Sequence, residues 1–195
     1  MQCDVDPDLL EAVLRERPDV ELARAKYPAG TPLDPEPGNL DERCARTRGA
    51  IESGSASVHD AVFVADGTFV IVDLLERLPE GFALVDVQSI YDMRPQDLPD
   101  VVVQVHVARA AGLDIRRVEI MHFGQGTGDP WANPARSDVT AAVEALLPEV
   151  PEQLRRMHEA IAGPLPVLQP ERPCVSPFDC SFYLRCHPED PESSI

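Results

Sequence analysis

The chain has 195 residues, 44% of them hydrophobic, and carries 34 acidic against 17 basic residues for a net charge of −17. That length supports one domain with a real core and is short for two. The charge disfavours nucleic acid unless the bases cluster on one face, no apolar run approaches a membrane span, and no targeting segment is visible, so a cytoplasmic protein without membrane attachment is expected.

Asp8–Arg17 spaces Leu9, Leu10, Val13 and Leu14 as one helical face. Pro18 interrupts or restarts a helix that runs on to about Tyr27, and Pro28 to Gly38 reads as loop. Leu40–Ile51 reads as a helix. Ser57–Val64 and Thr68–Glu76 read as strands joined by Ala65-Asp66-Gly67, whose Asp-Gly pair is a hairpin signal. Phe82–Ile90 is a third strand after the turn Pro79-Glu80-Gly81. Leu98–Ala111 is a helix with Val101, Val102, Val105 and Ala108 inward, closed by Gly112. Ile115–Phe123 is a fourth strand, and Asp138–Leu147 and Glu152–Ala162 are two further helices. The order is helix, three strands, helix, strand. The first three strands suit a meander, and the crossover helix places the fourth parallel within the sheet.

Three acids fall on the meander at thirteen-residue intervals: Asp60, Asp73 and Asp86, each among apolar or β-branched residues. A carboxylate inside a core strand is costly unless paired or bound to a metal. Carboxylates meeting across adjacent strands suit Mg²⁺ or Mn²⁺, hard ions that favour oxygen. Such an ion activates water and stabilises charge on a phosphodiester. The competing reading is three acids that each face solvent. Asp86 and Gln88, two apart on one strand, share a face.

Five cysteines are present: Cys3, Cys44, Cys174, Cys180 and Cys186. The last three lie six residues apart in a proline-flanked segment without apolar period. Thiolates gathered in an irregular tail suggest an iron–sulfur cluster. Zinc takes the same ligands but favours closer pairs, and buried unligated thiols are the plainer alternative. An odd cysteine count argues against a disulfide framework. A fourth ligand would come from Cys3 or Cys44. His59, His106 and His122 read as structural histidines, although His106 follows Gln104 by two and could approach a substrate groove. Trp131 reads as a loop anchor.

The strand order, the strand Val70-Ile71-Val72-Asp73-Leu74-Leu75 and the strand Leu84-Val85-Asp86-Val87-Gln88 resemble the PD-(D/E)xK nuclease superfamily. The cysteine spacing resembles its RecB-like iron–sulfur branch, which includes the CRISPR-associated iron–sulfur exonucleases. Glu21-Leu22-Ala23-Arg24, Tyr27-Pro28-Ala29-Gly30, Asp73-Leu74-Leu75-Glu76-Arg77 and Asp100 to Gln104 are also similar to that branch. The likeness covers about Val20 to Pro188.

The resemblance implies a restriction-endonuclease-like αβββαβ core over about residues 20–125, helices over about 136–163 and a cluster-binding tail over about 170–190, all one domain over residues 1–195. It implies metal-dependent phosphodiester hydrolysis, with Asp60, Asp73 and Asp86 holding Mg²⁺ or Mn²⁺ with the Val87 carbonyl. Gln104 stands where the family has a glutamine in the following helix. Cys174, Cys180, Cys186 and Cys3 stand at the four ligand positions of a 4Fe-4S cluster. The sequence departs from the family at Gln88, where the motif has lysine. Glutamine can hydrogen-bond a water but carries no charge. That departure and the net charge keep two other readings open. One is a degenerate nuclease fold serving as an iron–sulfur scaffold or protein-binding subunit. The other is an enzyme that uses an open cluster iron for sulfur or small-molecule chemistry.

Overall fold

The computed structural model describes residues 31–32, 40–124 and 133–164. The expectations on the N-terminal helices, Cys3, Trp131 and the cysteine tail lie outside them. The chain clusters into two compact units, Met1–Leu154 and Arg155–Ile195, and the sheet falls in the first.

In chain order the elements are β1 (Thr31–Pro32), α1 (Leu40–Glu52), β2 (Ser57–Ala65), β3 (Thr68–Arg77), β4 (Phe82–Val87), α2 (Pro99–Ala110), β5 (Ile115–His122), β6 (Ala135–Asp138), α3 (Thr140–Leu146) and α4 (Val150–Ala162). They make an α/β architecture around a six-stranded mixed sheet, ordered β1 to β6 as in the chain. The meander β2–β3–β4 is antiparallel throughout, and β5 joins β4 in parallel, as expected from the crossover through α2. Two strands were not expected. β1 adds two residues in parallel to Val58 and His59, inside the segment read as loop. β6 pairs antiparallel with β5, although Ala-Arg-Ser-Asp has no apolar alternation to announce a strand.

Local chemistry explains the elements. Asp66 and Gly67 both have positive φ, 49° and 74°, which is the turn whose twist matches a tight hairpin. Gly81 has φ 71°, and a Cβ there would collide with the Asp114 carbonyl, so only glycine fits between β4 and the start of β5. α2 ends at Gly112, φ 94°, with Leu113 N–H returning to Ala108 O at 3.0 Å. α3 begins at Thr140, two residues later than expected, because Asp138 Oδ1 accepts the Thr140 N–H at 2.9 Å and so caps the helix from outside. The third strand ends at Val87, earlier than expected, where a side chain takes over its ladder.

One face of the sheet is the main core. Val58, Ala61, Phe63, Val70, Val72, Leu75, Leu84, Val118 and Ile120 pack there with Ala50 of α1, Val101, Val105 and Ala108 of α2, and Val143 of α3. Each valine or leucine fully buried there contributes about 1.5–3 kcal/mol. Leu74, Val85, Val87 and Met121 form a smaller cluster with Phe123 on the other face. Nearby, Arg136 clamps Glu76 with two hydrogen bonds, at 2.9 and 2.7 Å, and also bonds Glu119, tying β3, β5 and β6 together. Among the described residues no helix is long and apolar enough to cross a membrane.

Candidate active site: a row of carboxylates across the sheet

The pairing register places the three expected acids at one level. Asp60 falls between the pairs His59↔Leu74 and Ala61↔Val72, opposite Asp73. Asp73 falls one step beyond Leu74↔Val85, opposite Asp86. Asp86 pairs with Ile120, and Ile120 with Ser137. The row across five strands is thus Asp60, Asp73, Asp86, Ile120, Ser137.

The ladder opens at this level. Asp60 has φ 51°, a left-handed conformation that aspartate tolerates better than most residues. Strand alternation breaks there: Val58 and Ala61, three apart, both join the main core, as do Leu75 and Val72 on the facing strand. With main-chain pairing interrupted, side chains take over. Asp73 is buried, and its Oδ2 accepts the Val87 N–H at 2.8 Å. Where β2 has run past β1, Thr47 Oγ1 of α1 similarly accepts the Val62 N–H at 2.9 Å and closes that edge.

Asp86 is buried beside Asp73 and is held at both oxygens. Gln104 Nε2 of α2 donates to Oδ1 at 2.7 Å, and Gln88 Nε2 donates to Oδ2 at 2.8 Å. Gln88 Nε2 also donates to the Asp97 carbonyl at 3.0 Å. Asp86, Gln88 and Gln104 therefore form one hydrogen-bonded unit.

Asp60 stands in a different electrostatic setting. Arg43 of α1 is buried. Its guanidinium is held below the usual arginine value first by burial and then by Arg46, while Asp60 opposes the shift. The β2 end of the row thus carries positive charge that the sequence reading did not anticipate. Its signal was the spacing of Leu40, Arg43, Thr47 and Ala50, which puts an arginine on the buried stripe of a helix.

The donor set can be tested against a divalent ion. Among the described residues no cluster of three or more His, Cys, Asp or Glu is gathered closely enough to hold a metal. A small hard cation needs fewer, since Mg²⁺ commonly binds through one or two carboxylates and keeps several waters. Asp73 and Asp86 supply two. Gln104 Oε1 is buried beside them without a hydrogen-bond partner among the described residues, an oxygen suited to a cation or its water. The residues present fit Mg²⁺ or Mn²⁺ on two carboxylates.

His122 has both ring nitrogens bonded, Nε2 to Ser137 Oγ at 2.9 Å and Nδ1 to the Phe123 carbonyl at 3.0 Å. Cys44 lies half-buried on α1 and lines a cleft of about 390 Å³ with Thr47, Val62 and Leu113. Burial and then Asp41 push its thiol pKa up, against Arg48. Comparison with family models, curated proteins and solved structures finds no match, so the site is read from its geometry.

Proposed function

We propose that the chain is a metal-dependent phosphodiester hydrolase of the PD-(D/E)xK type. From the cysteine spacing and the family resemblance we propose separately that Cys174, Cys180, Cys186 and Cys3, all outside the described residues, would hold a 4Fe-4S cluster. The observation that carries the hydrolase reading is the facing pair Asp73 and Asp86, buried on adjacent antiparallel strands and fixed by the Val87 N–H, Gln88 and Gln104. Two buried carboxylates at one level repel each other, a cost that a bound cation removes. The element order α1-β2-β3-β4-α2-β5 agrees with the αβββαβ core of that superfamily.

Asp73 and Asp86 would hold Mg²⁺ or Mn²⁺, and the Val87 carbonyl would be a further oxygen ligand. Such an ion, when bound, would supply Lewis acidity for activating water and offsetting charge on a phosphodiester. Gln104 and Gln88 hold the Asp86 carboxylate in one orientation. Gln88 spends Nε2 on Asp86 and the Asp97 carbonyl. Its remaining polar atom is Oε1, an acceptor for the O–H of an attacking water. The family's lysine would add a positive charge here, and Gln88 does not.

The test is cleavage of labelled single- and double-stranded DNA and RNA with Mn²⁺ or Mg²⁺, using anaerobically purified protein. Wild type is expected to cleave at least one of them, and Asp86→Asn to fall to the metal-free background. Wild type indistinguishable from Asp86→Asn on all four would overturn the reading. Iron and sulfide analysis tests the cluster separately: stoichiometric zinc without sulfide would remove it.

A second reading, an inactive scaffold, is favoured by one observation. Gln88 is committed by two hydrogen bonds in a chain of net charge −17. The same cleavage assay separates the two.

A further inference from the structure

His122 and Ser137 stand beside the acid row and have no part in the chemistry above. Ile120 separates Ser137 from Asp86 along the row. The parallel register ends at Val87↔Met121, beyond which Gln88 N–H donates to the Met121 carbonyl at 2.9 Å and Phe123 N–H turns to the Ile90 carbonyl at 2.9 Å, so His122 lies between two main-chain bonds to the segment that follows β4. His122 shares its face with Ile120 in the main core, whereas Met121 belongs to the opposite cluster. Adjacent strands lie about 4.8 Å apart, so the main chain of His122 runs beside that of Gln88 at the end of β4. Both His122 and Ser137 are partly exposed.

The hydrogen bonds of the pair restrict its proton arrangements. Nδ1 faces a carbonyl oxygen, which can only accept, so Nδ1 carries the hydrogen in either charge state. Nε2 faces Ser137 Oγ, which can donate or accept. On a neutral ring Nε2 accepts, and the Ser137 hydrogen is consumed in the pair. On an imidazolium Nε2–H donates to Oγ, and the Ser137 hydrogen must turn outward. An anion next to Ser137 favours the second arrangement twice over: it accepts the outward hydroxyl, and it is attracted to the charged ring. Among the described residues, Asp73 and Asp86 are the nearest acids of the row, Asp60 stands at its far end beside Arg43, and α2 adds the neutral Gln104. Glu76 and Glu119 are paired with Arg136 and Arg117 on the other face. Asp138 is exposed and bonded to Thr140.

We propose that Ser137 and His122 form a phosphate-binding pair at the β5–β6 end of the acid row. Ser137 Oγ–H donates to a non-bridging phosphate oxygen, and His122 donates to Ser137 from behind. The pair supplies, from β5 and β6, a positive charge that Gln88 lacks and a donor in place of the Gln88 Nε2 that is engaged by Asp86 and Asp97. Assigning the phosphate to a polynucleotide backbone rests on the hydrolase reading. The proton arrangement of the pair does not.

The experiment follows the ring nitrogens of His122 in full-length wild-type protein by long-range ¹H–¹⁵N NMR. The pH is set so that the ring is neutral in the free protein. Inorganic phosphate and, separately, an oligonucleotide with phosphorothioate linkages are added in Mg²⁺. Each is expected to move Nε2 from the lone-pair to the N–H range, and Ser137→Ala to weaken phosphate binding about tenfold, as for one hydrogen bond to a charged group. Nitrogens unmoved by either ligand, or equal affinity in Ser137→Ala, would overturn the proposal. Movement with inorganic phosphate alone would overturn the polynucleotide assignment. A response to the oligonucleotide in a protein that cleaves nothing would leave the phosphate pair standing and remove the hydrolase reading.

Discussion

Asp73 and Val87 meet across neighbouring strands, and the Asp73 carboxylate takes the Val87 N–H at 2.8 Å, where the ladder would otherwise offer a main-chain carbonyl. A carboxylate is a poor substitute for a carbonyl in a buried sheet, because its charge must be desolvated. Placing that charge opposite Asp86 makes it worse. Proteins hold such arrangements where a cation is to be bound, and lose stability by doing so.

Asp73→Asn separates the two roles of this side chain. Asparagine keeps an oxygen for the Val87 N–H and removes one charge from the row. Without divalent metal, Asp73→Asn should melt at or above wild type, whereas Asp73→Ala should lose about 1–3 kcal/mol through a buried N–H left without its acceptor. With Mn²⁺ present, wild type should gain and Asp73→Asn should not. Equal destabilisation by Asn and Ala in a metal-free thermal scan would make the charge structural.

Gln88 decides how far the site departs from a lysine-bearing one. Gln88→Ala should lower the cleavage rate while leaving Mn²⁺ affinity nearly intact, because Asp86 keeps its bond from Gln104. Gln88→Lys should preserve or raise the rate by adding a cation beside Asp86. Steady-state rates for the three proteins check this. A rate unaffected by Gln88→Ala would remove Gln88 from the water-positioning role.

Asp138 links the sheet to α3 and gives a pH dependence with a definite sign. Its hydrogen bonds to Thr140 hold its carboxyl below the usual range, against a weak opposing effect of burial and with help from Arg117. The charged form is therefore favoured by folding. Its contribution is present above the ordinary aspartate range and is lost as pH falls through the depressed value. Asp138→Asn still caps α3 but does not titrate, so its stability should fall less steeply with acid than that of wild type. Identical acid-denaturation profiles would contradict this.

Gly81 tests the packing beneath β4. With φ 71° and the Asp114 carbonyl in the way of a Cβ, Gly81→Ala should destabilise the sheet by more than the roughly 1 kcal/mol of backbone strain alone. Urea unfolding measures it, and a loss under that value would show that the turn can shift.

Much of this was legible in the sequence because it depends on local chemistry. The Asp66-Gly67 turn fixed the first hairpin, and equal thirteen-residue intervals brought Asp60, Asp73 and Asp86 to one level through two successive antiparallel registers. Val101, Val105 and Ala108 announced the buried stripe of α2. What the sequence concealed depends on contacts far apart in the chain. The left-handed Asp60 is a conformational choice that no spacing reveals. Ser137 could not be placed beside His122 while β6, with no apolar alternation, went unseen. Arg43 is turned inward on the buried stripe of α1, which its charge does not announce.

The measurement that bears most directly on the account is Mn²⁺ titration by isothermal calorimetry, in salt high enough to screen the surface acids. Wild type should bind one ion at a site that Asp86→Asn abolishes and Glu119→Gln, on the opposite face, leaves unchanged. Binding of equal affinity and stoichiometry in wild type and Asp86→Asn, or none in wild type, would contradict the claim that the facing pair Asp73 and Asp86 is a metal site.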